Sequence, residues 1–222
     1  MNWPTETLRF LNPIRSTLRC TSKQTKELQK GTFYFIRVVS AVVFVHGKNI
    51  QSIPRWLCFH VLNRGNGRGD VFHKDDDFAA FVNLMREAHE KVPIRLTGFC
   101  LTTNHFHLLL WPHEDGDLSC WMQWLMTSHV RRYHRHFKGG GHVWQGWFKA
   151  FPVQPDSHYL TVLRYVERNP LRAKMVERSQ DWEWSSLKPT ALSGPDGLLC
   201  DGPILKPAQW TRHVNGMETD TN

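Results

Sequence analysis

The sequence has no uninterrupted apolar run of the ~20 residues that a membrane-spanning helix needs. Its apolar stretch Phe33–Val45 is broken by Arg37, and the His46-Gly47-Lys48 that follows makes a poor signal-peptide cleavage site. This excludes a polytopic membrane chain. Cysteine is sparse: the five residues Cys20, Cys58, Cys100, Cys120 and Cys200 are scattered, odd in number and never paired as CxxC. Neither a disulfide framework nor a zinc ribbon is expected, and a reducing cytoplasm is the natural compartment. Internal repeats are absent. Acid is in deficit, with 20 Asp and Glu against 28 Lys and Arg, a net charge of +8, a pI near 9.4 and 13 histidines besides. A surface this basic favours polyanionic partners, chiefly nucleic acid or an anionic membrane, although a merely basic soluble protein shows the same balance.

What remains is ordinary globular material. Hydrophobic residues make up 41% and charged residues 22%, enough apolar content to bury a core. A chain of 222 residues reads as one domain with appendages. Residues 1–52 are expected to form a weakly ordered extension, 53–187 the folded domain, and 188–222, rich in Pro, Gly and Asp, a tail. Within the domain, Trp56–Leu62 is short, aromatic and β-branched, and runs into the Asn63-Arg64-Gly65-Asn66-Gly67 turn signal. Lys74–Lys91 has three aspartates in its first turn, helical apolar spacing, and Pro93 beyond it. Ile94–Leu101 and His105–Trp111 read as strands, Leu118–Phe137 as a long helix ended by three glycines, Trp147–Val153 as a strand, and Asp156–Arg168 as a helix closed by Asn169-Pro170. This order predicts an α+β fold, an antiparallel sheet with helices packed mainly on one face.

Three constellations carry chemistry. His105 and His107 are two apart on a strand, so both imidazoles stand on one face, as two ligands of one metal ion would; surface or core decoration is the ordinary alternative. Tyr165 and Asn169 are four apart at helical spacing and meet on one face. A phenol can serve as a nucleophile and an amide oxygen can ligate a hard cation, while a half-buried tyrosine followed by a pre-proline helix end is the plainer reading. Of the four tyrosines, Tyr133 and Tyr159 have Phe137 and Leu163 four residues on, and neither can ligate a cation. His129–Lys138 holds four fixed positive charges, three histidines and no acid. That suits a phosphate backbone, or simply a solvated helix face. Trp144, Trp147 and Phe148 offer base-stacking surfaces or core packing.

Read together, Asn104-His-Phe-His-Leu108, Trp121-Met-Gln-Trp-Leu125, Trp144-Gln-Gly146, Tyr165-Val-Glu-Arg-Asn-Pro170 and Trp184-Ser-Ser186 resemble the REP-associated tyrosine transposases of the HUH single-strand transposase superfamily. Asn63-Arg64-Gly65 fits as well, and the resemblance covers roughly Pro54 to Leu187. It implies a ferredoxin-like or RRM-like domain that binds single-stranded, hairpin-forming DNA as a monomer or homodimer, in the bacterial cytoplasm at the nucleoid. It implies a divalent ion, Mg²⁺ or Mn²⁺, on His105, His107 and Asn169. Tyr165 would be the nucleophile that forms a 5′-phosphotyrosine link and lets strands be cut and rejoined. Arg64, Arg131, Arg132, Arg135 and Lys138 would hold the DNA backbone, and Trp144 would contact the DNA. Two alternatives stay open: a hairpin binder that does not cut, and a metal-dependent hydrolase that forms no adduct. The chain departs from the family pattern at Thr102-Thr103, where many relatives have Met-Pro, and at Trp147, where an arginine is expected. A basic C-terminal region common among relatives is also expected to be missing.

Overall fold

The structure, a computed structural model, describes residues 57–188 and 198–216. The expected N-terminal extension, the Phe33–Val45 run and much of the expected tail lie outside those residues. Four strands form one antiparallel sheet: β1 (Cys58–Arg64), β2 (Ile94–Leu101), β3 (His105–Pro112) and β4 (Lys149–Val153), in the order β2-β3-β1-β4. With α1 (Asp75–Lys91) between β1 and β2, and α2 (Asp117–Phe137) between β3 and β4, this is the split βαβ arrangement of a ferredoxin-like fold. None of the described helices is long and apolar enough to cross a membrane.

Strand alternation sorts the core into two layers. Phe106, Leu108 and Leu110 of β3 join Phe59 and Val61 of β1 on one face, under α1 and α2. Phe78, Phe81, Val82 and Met85 of α1, at the helical spacing the sequence showed, supply the helical side together with Trp121, Met122 and Leu125 of α2. Asp77 caps α1 by accepting the backbone N–H of His73 at 2.9 Å. His129, first residue of the basic run, turns inward here against Phe72, Phe81 and Trp144, and burial pushes its pKa down to about 3.

The opposite face carries a second cluster, built from Leu109, Cys58, Cys100 and Val153 of the sheet against Tyr159, Leu163 and Val166 of α3 (Ser157–Glu167). Gly98 lets α3 approach closely, since a Cβ there would fall 2.4 Å from Leu163 Cδ1. After Arg168 the chain makes the short helix α4 (Asn169–Arg172), with Pro170 in its first turn where no N–H is required. The next segments return to the outer edge of β2. Ser186 N–H donates to the carbonyl of Phe99, and Leu96 exchanges backbone bonds with Leu198 and Cys200. An edge that would otherwise be open is thereby covered.

Residues 198–216 were expected in the tail, yet Leu198, Trp210 and Val214 are buried, the last two in α5 (Trp210–Asn215). Their anchor is Glu167, fully buried at the end of α3. Its carboxylate accepts from Ser186 Oγ at 2.7 Å, from Lys206 Nζ at 2.8 Å and from Trp210 Nε1. Arg164 of α3 and Arg168 just beyond it donate to the carbonyls of His213, Val214 and Gly216, satisfying the open end of α5. Removing the carboxylate strands three donors around a polar void. Glu167→Ala should therefore cost about 2–4 kcal/mol of stability, read as a lowered urea midpoint.

Candidate active site

β3 opens with His105 and His107, and both rings face away from α1 and α2 because Phe106 and Leu108 occupy the other face. In the β1–β3 register Leu62 stands opposite His107 and Arg64 opposite His105. His60 therefore sits diagonal to His107 on the same face. Tyr165 of α3 and Asn169 of α4 complete the enclosure. His105, His107, Tyr165 and Asn169 line an open cavity of about 610 Å³, together with Arg64, Lys149 and Arg172. Three cations and no carboxylate among the lining residues make it a cavity for an anion.

The hydrogen bonds settle the state of His105. Asn104 Nδ2 donates to the carbonyl of Arg68 at 3.1 Å, so its amide oxygen must face the other way. That oxygen lies 2.7 Å from His105 Nδ1, as does Thr102 Oγ1, whose own proton goes to the carbonyl of His105. His105 thus carries its proton on Nδ1. Burial lowers its pKa, with the charge of Arg64 adding to the effect against the hydrogen bond of Asn169, so the ring is neutral and Nε2 is bare. Nε2 lies 3.0 Å from Asn169 Oδ1, so the two groups converge on one point of the cavity.

His107 is buried and held well below the ordinary histidine range, first by desolvation and then by His60, His105, Arg64 and Arg172. Tyr165 is partly exposed and stands edge-on to it, with ring centres 5.6 Å apart. The Arg172 guanidinium lies 4.9 Å from the centre of the Tyr165 ring. Among the described residues no group of three His, Cys, Asp or Glu side chains is arranged to hold a metal ion. The donor set available is instead two neutral imidazoles and one amide oxygen. It fits a divalent cation in donor type, and imidazole suits Mn²⁺ better than Mg²⁺.

The family model described as "Transposase IS200 like" matches residues 56–169, from two residues before β1 to Asn169. The chain belongs to this family. A relative from Haemophilus influenzae, named "Putative REP-associated tyrosine transposase", is 25% identical over an alignment of 121 residues, and the match covers 48% of this chain and 68% of that protein. A solved structure described as "Structure of the REP associates tyrosine transposase bound to a REP hairpin" superposes with a TM-score of 0.51 at 18% identity. That match covers 67% of this chain and 88% of the other, and it is a likeness of fold.

For a chain of the IS200-like transposase family, the site gathers five of the sequence-predicted residues into one cavity: His105, His107, Tyr165, Asn169 and Arg64. Arg131, Arg132, Arg135 and Lys138 lie elsewhere, in the C-terminal half of α2 and just beyond it, on the helix that packs against the other face. Arg132 lines a groove between α1 and α2 that also holds Asp76, Asp77 and Glu87. Trp144 requires correction as a DNA contact. It is buried in the core against Phe72, Phe81 and Phe106, bridged to Gly65, and offers no face for a base. Phe148 is buried too, whereas Trp147, beyond the positive-φ Gly146, is 62% exposed and lines the cavity. Sequence reasoning missed His60, Lys149 and Arg172. His60 comes from β1, which pairs with the strand of His107, and Lys149 from β4 on the far side of β1, opposite Leu62, a juxtaposition that only the register reveals. Arg172 lies seven residues beyond Tyr165, across the Arg168 break.

Proposed function

We propose that this chain cuts and rejoins one strand of DNA at hairpin-forming sites through a 5′-phosphotyrosine link on Tyr165. The observation that carries this reading is the meeting of Tyr165, His105, His107 and Asn169 in one cationic cavity. Family membership agrees with it, as does the hairpin held by the structural neighbour. His105, His107 and Asn169 would hold Mg²⁺ or Mn²⁺, which when bound supplies charge neutralisation at the scissile phosphate. The remaining work falls to the chain's own groups. Arg64 and Lys149 bind phosphate oxygens. The Tyr165 oxygen attacks phosphorus and loses its proton; the bond to the 3′ oxygen breaks, and that oxygen takes up a proton as it leaves. Arg172, beside the phenol ring, stabilises negative charge as it moves through the ring. The new phosphodiester to tyrosine keeps the bond energy, so transfer to another 3′-hydroxyl requires no nucleotide cofactor.

The basic end of α2 serves the same substrate. α2 ends near the start of β3: His73, next to α1, contacts Tyr133 at 3.1 Å, and Asn66 in the turn after β1 donates to Val143. A strand with its scissile phosphate beside Tyr165 can continue over this end of the sheet onto Arg131, Arg135 and Lys138. The protein would act on the nucleoid in the cytoplasm, as a monomer or a homodimer.

The test uses hairpin oligonucleotides from the flanks of the chain's own coding region, with Mn²⁺, Mg²⁺ or EDTA. A metal-dependent band at protein-plus-DNA mass on a denaturing gel is expected, absent in Tyr165→Phe, which should still bind the hairpin. Cleavage without an adduct would replace this reading with hydrolysis; binding without cleavage would leave a hairpin-binding protein. The two tryptophans should separate in the same material. Trp147→Ala should weaken single-strand binding by roughly 1–3 kcal/mol at little cost in stability. Trp144→Ala should lower the melting temperature, since it empties part of the core.

A further inference from the structure

We propose that His60 is the positioning residue for His107: it accepts the Nδ1 proton of His107, and so fixes the tautomer and ring orientation that leave His107 Nε2 bare toward the cavity. His60 Nε2 lies 2.8 Å from His107 Nδ1. The ring centres are 5.0 Å apart with 23° between the planes, close to the hydrogen-bond length plus two ring radii. The rings therefore meet edge to edge in nearly one plane, which aligns an N–H···N bond.

Only one proton fits between these two nitrogens. A proton on His60 would force His107 to carry its own proton on Nε2, the atom its metal-binding role needs bare. A proton on His107 Nδ1 gives it the same tautomer that Asn104 and Thr102 impose on His105. Each histidine of the pair then has an acceptor behind it, one from the adjoining turn and one from the neighbouring strand. His60 is itself confined. Phe151 lies 6.2 Å away from ring centre to ring centre, and Tyr165 stands edge-on at 6.0 Å. Since Tyr165 contacts both rings, His60 also braces the tyrosine against the pair.

The inference rests on the reading that His105, His107 and Asn169 take a divalent ion, and the experiment separates the two. Two-bond ¹H–¹⁵N spectra of the metal-free protein report each histidine tautomer; Mn²⁺ titration by calorimetry reports affinity. His107 should show the Nδ1–H pattern. His60→Phe, which keeps a ring but removes the acceptor, should weaken Mn²⁺ binding by about 10- to 100-fold and release the tautomer. His60→Gln, whose side-chain oxygen can accept from Nδ1, should recover most of the affinity. An Nε2–H pattern in the unaltered protein overturns the proposal, as does unchanged Mn²⁺ affinity in His60→Phe. If the unaltered protein binds no Mn²⁺, the metal reading fails, and the tautomer change in His60→Phe still decides the role of His60. Should His60→Phe not fold, the unaltered spectrum and His60→Gln carry the decision.

Discussion

The antiparallel register that sets Leu62 opposite His107 and Arg64 opposite His105 is the constraint on which the site depends. A strand alternates its side chains, so a slip of one residue would drive both histidines into the core and turn Phe106 and Leu108 toward the cavity. Burying each such aromatic or aliphatic side chain is worth roughly 1.5–3 kcal/mol. The apolar layer under α1 and α2 therefore holds the polar layer on the far face in place. Three polar groups, His60, His105 and His107, inherit their positions from Phe59, Val61, Phe106, Leu108 and Leu110, which point to the opposite face.

The tyrosine reaches the same face by a different route. α3 lies close to the sheet because Gly98 leaves room for Leu163, and Glu167 ties its end to Ser186, Lys206 and Trp210. Arg164 and Arg168 flank Tyr165 in sequence, and both are spent on the carbonyls at the end of α5. Tyr165 is left to face the histidines, with Arg172 beside its ring. The helix that bears it is held from behind by residues far along the chain, and the cavity side stays open.

The parts of this arrangement that the sequence made legible are those whose geometry is local. His-x-His on a strand and Tyr-x₃-Asn at helical spacing announce their faces through the periods of 2 and 3.6, and both pairs line the cavity. The α+β order was readable for the same reason, since Gly, Asn and Pro signals bracket each run. What escaped was non-local. His60 matters through a partner in another strand. Trp144 and Trp147 look alike in sequence, but a bridge to Gly65 and the positive φ of Gly146 send one into the core and leave the other exposed. Residues 198–216 show no sustained apolar period, because isolated anchors such as Trp210 and Val214 hold them and a buried carboxylate receives them.

Among the described residues, two groups of cations bear on the substrate, one inside the cavity at Arg64, Lys149 and Arg172, the other along the end of α2. The account assigns the first to the reacting phosphate and the second to the flanking strand. The most direct check is a crystal structure of Tyr165→Phe with its hairpin oligonucleotide and Mn²⁺, using the anomalous signal of the metal. The account predicts an anomalous peak bonded to His105, His107 and Asn169, a phosphate beside the ring at position 165, and the strand continuing onto Arg131 and Arg135. DNA held along α2 with neither phosphate nor metal in the cavity would contradict it.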